Sequence, residues 1–159
     1  MNRQQITEAV RRLASSRDSA LLTKTVKMLH DHCAGWNWVG IYLLVGQTLI
    51  LGPFEGKPTE HKRIPVGVGV CGSAVQGERN IIVDDVANSA NYLACSVETR
   101  SELVVLIRGN NGVIAQFDID SDQTGAFTER DEQFLETLAS IVAEQCWQEC
   151  LALSQKLDQ

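Results

Sequence analysis

The sequence has no excess of basic residues, no long apolar run and no even set of cysteines, and each absence narrows what the protein does. Fourteen Lys and Arg stand against 20 Asp and Glu, a formal net charge of -6. Without a Lys/Arg cluster, the electrostatic footprint of a nucleic-acid binder is missing. The longest apolar run, residues 39–45, contains Gly40, whereas a membrane-spanning helix needs about 20 such residues. Residues 1–14 are polar and helical in pattern, without the apolar centre of a signal peptide. These features lead us to expect a cytoplasmic protein that engages neither nucleic acid nor membrane. Five cysteines, Cys33, Cys71, Cys95, Cys146 and Cys150, are an odd number in a chain without an export signal, which argues against a disulfide framework. No Ser–His–Asp or H-E-x-x-H pattern occurs. His30 and His32 stand two apart and do not share a helix face. Cys146 and Cys150 do share one, yet nothing completes a four-ligand set. Neither a metal nor a cofactor is expected. There is no internal repeat, low-complexity tract or linker.

What is present is enough for a core. The chain has 159 residues, 44% hydrophobic and 21% charged, within the globular range. Ile6, Val10 and Leu13 mark an amphipathic helix over 3–16, and Leu22, Val26 and Leu29 a second over 19–33, capped by Asp18 or Ser19. The period then changes to two. Trp36, Trp38, Gly40 and Tyr42 fall on one face of a strand, and Val39, Ile41 and Leu43 on the other. Further strands are expected over 48–52, 62–66, 81–83, 102–107 and 112–119, with a loop over 53–60 and a short helix to about residue 76. Residues 84–99 lack a clear period, and a loop of that length in a compact domain is usually functional. Thr128-x-x-Asp131 resembles a capping box with Asp for Glu and opens a long helix. The expected domain is 1–159, with terminal helices over 1–35 and 128–153 on one face of a mostly antiparallel α+β sheet, and loops on the other.

Three motifs carry chemistry. Gly67-Val68-Gly69-Val70-Cys71-Gly72 fits G-x-G-x-x-G, but the helix after it is too short for a dinucleotide unit. The alternative is a tight turn that sets the Cys71 thiol near a helix start, where N–H groups and the dipole favour thiolate. Cys95 sits late in the long loop, where a nucleophile has access. Asp118 and Asp120 lie two apart in a strand and therefore face one side, with Phe117 and Ile119 on the other. Glu102 opens the neighbouring buried strand and adds a third carboxylate. Close carboxylates repel, so one should hold its proton towards neutrality.

Asn37-Trp38-Val39-Gly40-Ile41-Tyr42, Leu51-Gly52-Pro53-Phe54-Glu55-Gly56-Lys57-Pro58, Arg63-Ile64-Pro65, Gly69-Val70-Cys71-Gly72, Ala94-Cys95, Ser101-Glu102-Leu103-Val104-Val105 and Asp118-Ile119-Asp120-Ser121 occur in that order. Together they resemble the single-domain GAF proteins that act as free methionine-(R)-sulfoxide reductases. The resemblance implies a six-stranded, mostly antiparallel GAF-like sheet, helices on one face and a pocket on the other. It implies Cys95 as catalytic cysteine, Cys71 as its pairing partner, Glu102, Asp118 and Asp120 as pocket carboxylates, and Trp38 as the pocket tryptophan. The chain departs from the family at four places. His61 stands ten residues before Cys71, where another resolving cysteine is frequent. Tyr92-Leu93 and Ser96 replace His-Ile and Asp around Cys95, and Leu106 replaces a proline.

On this reading Cys95 attacks the sulfoxide sulfur while Glu102 or Asp120 protonates its oxygen. Asp118 holds the substrate ammonium, Trp38 packs on the S-methyl group, and Tyr42 belongs to the same substrate-binding face. Cys95 becomes a sulfenic acid, Cys71 condenses with it to a disulfide, and a thioredoxin-like dithiol restores both. Two other readings fit the same sequence: a non-catalytic GAF sensor of a small ligand, and a redox sensor that uses the cysteine pair. Exposed apolar residues on the terminal helices would favour a homodimer.

Overall fold

The computed structural model describes residues 1–89 and 98–157. The chain opens with helices α1 (Arg3–Ser15) and α2 (Leu21–His32). Asn2 and Gln5 cap α1 reciprocally, each side chain accepting the other's backbone N–H at 2.8 Å. Ahead of α2 the N-cap is Ala20 rather than Asp18 or Ser19, but Asp18 accepts the Ala20 N–H at 2.8 Å and so still receives an N-terminal donor. Then follow β1 (Trp38–Val45), β2 (Thr48–Glu55), β3 (Arg63–Pro65), α3 (Gly69–Gly77), β4 (Ile81–Val83), a 3-10 turn over Val86–Asn88, β5 (Ser101–Gly109), β6 (Gly112–Ser121) and α4 (Glu129–Leu157).

The six strands form one antiparallel sheet in the order β3-β2-β1-β6-β5-β4. Alternation along β1, β5 and β6 divides the interior into two cores. Val39, Ile41, Leu43, Leu103, Val105, Ile107, Phe117 and Ile119 join Ile6, Val10, Leu29, Leu135 and Leu138 on the helical side. Trp38, Tyr42, Val104 and Leu106 join Val70, Cys71, Ala74 and Val75 of α3 on the other. Phe117 is completely buried, and truncating such a ring costs about 3–5 kcal/mol. The helices of the first core cover one side of the sheet, and α3 packs on the other.

The structure corrects three sequence expectations. Trp36 does not share the face of Trp38 and Tyr42. It lies in the helical core, tilted against Phe127 and Phe134 with centroids 6.1 and 6.2 Å away. β1 begins only at Trp38, so the two-residue period does not reach position 36. The second strand runs through Pro53 to Glu55 instead of ending at 52, because Gly52 and Pro53 together oppose Ile41, a bulge in β2 that removes the ladder position a proline cannot fill. α4 continues to Leu157, past the expected end at 153. At its start, Asp131 accepts the Thr128 N–H at 2.8 Å, the half of the capping box that Asp can reach. Asp131 also pairs with Arg3, whose guanidinium lies over Trp36 and Phe134, which ties α1 to α4.

Candidate active site

The strand register builds the site. Asp120 pairs with Trp38 on one side and Glu102 on the other, so the three stand in one row across β1, β6 and β5. The next row is Gly40, Asp118 and Val104, and the next Tyr42, Gln116 and Leu106. Glu102, Asp118 and Asp120 thus share the non-helical face with Trp38 and Tyr42, as their spacing implied. All three carboxyl groups are buried, with 2%, 0% and 1% of their surface exposed. Gly40 is required by this arrangement: a Cβ there would lie 2.4 Å from Trp38 Cη2, so the indole lies across the glycine. The indole stacks on Phe54 with centroids 5.6 Å apart and donates from Nε1 to Lys57 O at 3.0 Å.

The glycine-rich segment is a turn, as expected. Gly67 N–H donates to Gly72 O at 2.9 Å, and a Cβ on Gly72 would fall 2.5 Å from Pro65 O. This closeness seats α3 on the sheet with Cys71 as its third residue, buried rather than open to solvent. Cys71 Sγ donates to Glu102 Oε2 at 3.9 Å, and Gln116 Nε2 donates to Cys71 O at 3.1 Å. Gln116 is fully buried and anchors α3 beneath the carboxyl group. Sequence reasoning passed over it, although Gln116-x-Asp118-x-Asp120 carries the same two-residue period.

Burial pushes the Glu102 carboxyl well above its ordinary range, and the charges of Asp118 and Asp120 push it further the same way. The helical cysteines behave as core hydrophobes. Burial raises Cys33 and Cys150 to about 11 and Cys146 further, so none supplies thiolate near neutral pH. Cys95 lies outside the described residues.

A cavity of about 320 Å³ is lined by Trp38 and Asp120 with Asn37, Lys57, Glu98 and Asp122, the lower end of small-ligand sites. Lys57 Nζ meets Glu98 Oε1 at 2.7 Å on its rim. A second space of about 10 Å³, room for about one water, is lined by His61, Cys71, Glu102 and Asp118 among others. Tyr42 donates its hydroxyl to His61 O at 2.7 Å and so supports that wall. One oxygen each of Glu102 and Asp118 and the Cys71 sulfur lie within 4.8 Å of one another, a donor set that could receive a cation. Position 106 shows what leucine adds where the family has proline: its N–H donates to Asn80 Oδ1 at 2.8 Å, a bond proline cannot make.

A six-stranded antiparallel sheet backed by terminal helices, with an acidic pocket on its other face, is the architecture of a GAF domain, and that family matches residues 4–144. The chain is 41% identical over 121 residues to the free methionine-R-sulfoxide reductase of Escherichia coli, which covers 76% of this chain and 73% of that protein. It is 40% identical to the Saccharomyces cerevisiae enzyme of that name, over 69% of this chain and 63% of the yeast protein. The structure of the free methionine-R-sulfoxide reductase from Neisseria meningitidis in complex with its substrate superposes with a TM-score of 0.83 at 31% identity, covering 98% of this chain and 91% of that one. The chain belongs to the GAF-domain family of free methionine-R-sulfoxide reductases. Among the described residues no helix is long and apolar enough to cross a membrane.

Proposed function

We propose that this protein reduces free L-methionine-(R)-sulfoxide to methionine, the activity for which its relatives are named. The observation that carries the reading is the buried Glu102–Asp118–Asp120 group, with Cys71 Sγ at one edge and Trp38 at the other. A sulfoxide oxygen leaves only as it is protonated, and Glu102, kept protonated by burial and by its neighbours, is the acid for that step. The Cys95 thiolate attacks the sulfoxide sulfur as Glu102 protonates the oxygen; the S–O bond breaks, the hydroxyl passes to the Cys95 sulfur as the transient bond between the two sulfurs cleaves, and the products are methionine and Cys95 sulfenic acid. The Cys71 thiol attacks this sulfenic acid. Water departs and a Cys71–Cys95 disulfide forms. A thioredoxin-like dithiol takes up the oxidation and returns both thiols.

Asp118 and Asp120 supply charge for the substrate ammonium, and the Trp38 indole offers an apolar wall for the S-methyl group. A peptide-bound methionine lacks that ammonium, so recognition by carboxylates favours the free amino acid. The test is methionine formation under dithiothreitol from the R and S epimers and from an N-acylated R epimer. Turnover confined to the free R epimer supports the proposal; equal rates with the acylated compound, or no turnover, refute it. A GAF sensor would bind the sulfoxide and leave its thiols reduced, and a redox sensor would oxidise with peroxide alone. We also place a homodimer contact at Trp147 and Leu151, one turn apart on α4 and 44% and 38% exposed.

A further inference from the structure

A free amino acid carries a carboxylate as well as an ammonium, and buried carboxyl groups answer only the second. The cavity of about 320 Å³ is lined by the carboxylates of Asp120, Glu98 and Asp122, which repel a further anion. Lys57 is the one Lys, Arg or His among the described residues on its wall. The Lys57 backbone is fixed beside the indole, because its carbonyl accepts the Trp38 Nε1–H at 3.0 Å. Gly56, just before it, has φ 122° and lies so close that a Cβ would fall 2.8 Å from both Trp38 Cδ1 and Asn37 O. From this anchor the ammonium is directed by Glu98 Oε1, 2.7 Å away on the rim. An ammonium has three donors, and Glu98 takes one. The two side chains are 64% and 61% exposed, and a pair so exposed contributes little to stability. What the pair does achieve is to hold a cation over the mouth of a cavity whose other charged residues are all acidic.

We propose that Lys57 binds the α-carboxylate of the substrate and determines the preference for a free amino acid, a role that rests on the substrate proposed above. The substrate lies with its ammonium at Asp120 and its carboxylate outward at Lys57 Nζ, which donates to it while still donating to Glu98. Opposite charges thus read the two ends of the amino acid. This adds a discrimination the acidic pocket lacks. A methionine sulfoxide at the N-terminus of a peptide keeps its ammonium, so the carboxylates alone do not reject it. It has an amide where the free amino acid has a carboxylate, and Lys57 then loses its charged partner.

The test is a calorimetric titration of the Cys95→Ser protein, which binds without chemistry, with free methionine-(R)-sulfoxide and with its carboxamide. The carboxamide keeps the ammonium, the methyl group and the sulfoxide. With Lys57 in place the acid should bind about tenfold or more tighter than the carboxamide. Lys57→Met should weaken the acid by about that factor, change the carboxamide by less than about twofold and so erase the difference. Lys57→Arg should restore most of it. The side chain is largely exposed, so these variants keep the fold. In the protein that retains Cys95, Lys57→Met should raise KM for the acid far more than it lowers kcat. Equal weakening of both compounds, an acid affinity unchanged by Lys57→Met, or no binding of the acid at all overturns the proposal. Turnover by the wild type reads the reductase proposal separately: acid that binds through Lys57 without being reduced refutes that proposal and upholds this one.

Discussion

Gly40→Ala isolates the link between strand geometry and the pocket. The new methyl would lie 2.4 Å from Trp38 Cη2, 2.5 Å from Cζ3 and 3.3 Å from Phe54 Cβ. Carbon atoms rest about 3.5–4.0 Å apart, so the edge of the indole must retreat by about 1 Å or more. Overpacking of this kind costs about 1–3 kcal/mol. At about 2–4 °C per kcal/mol for a chain of this size, Tm should fall by about 2–12 °C. The indole also walls the 320 Å³ cavity beside Asp120, so KM for the sulfoxide should rise more than kcat falls. Calorimetry and steady-state kinetics read the two effects. The double variant supplies the control, because Trp38→Ala removes the atoms that clash. In that background Gly40→Ala should cost little, a strongly non-additive cycle. Equal destabilisation in both backgrounds would refute the claim that Gly40 is there to admit the indole.

Other outcomes follow from the same geometry. Glu102 holds its proton more tightly folded than unfolded, so the stability this contributes is complete below the ordinary carboxyl range and is lost as pH climbs through the folded value. Melting curves of wild type and Glu102→Gln should therefore converge in acid and separate as pH rises above the ordinary carboxyl range, with the variant higher; a gap independent of pH contradicts this. Cys71→Ser should give one equivalent of methionine and then stall, whereas sustained turnover with thioredoxin removes Cys71 from the resolving step. Trp147→Gln with Leu151→Gln should convert a dimer to a monomer in light scattering; identical masses for wild type and variant remove that contact.

Much of the pocket was readable because strands write their faces into the sequence. Asp118 and Asp120 with Phe117 and Ile119 between them state the period and which side is polar. The Cys71 turn was legible because its glycines mark a tight backbone. Trp36 misled because the same alternation can be counted back past the first paired residue. Pro53 misled because a proline signals a break, and only the bulge that sets Gly52 and Pro53 against Ile41 reveals that the ladder tolerates it. Gln116 was missed since an amide advertises no chemistry until its partner, the Cys71 carbonyl, is in place. The convergence of Cys71 with Glu102 and Asp118 joins residues 31 and 47 positions apart in the chain (102 − 71 and 118 − 71), beyond any local spacing rule. Cys95 stands out by its place late in a long loop and takes its catalytic role from the motif resemblance, and its place relative to the carboxylates lies outside the described residues.

The most direct test is mass spectrometry of the reduced protein after a single equivalent of free methionine-(R)-sulfoxide. The account predicts loss of two hydrogens per chain and a proteolytic fragment that joins the Cys71 and Cys95 peptides. An unchanged mass with bound sulfoxide, or a linkage through any other cysteine, contradicts it.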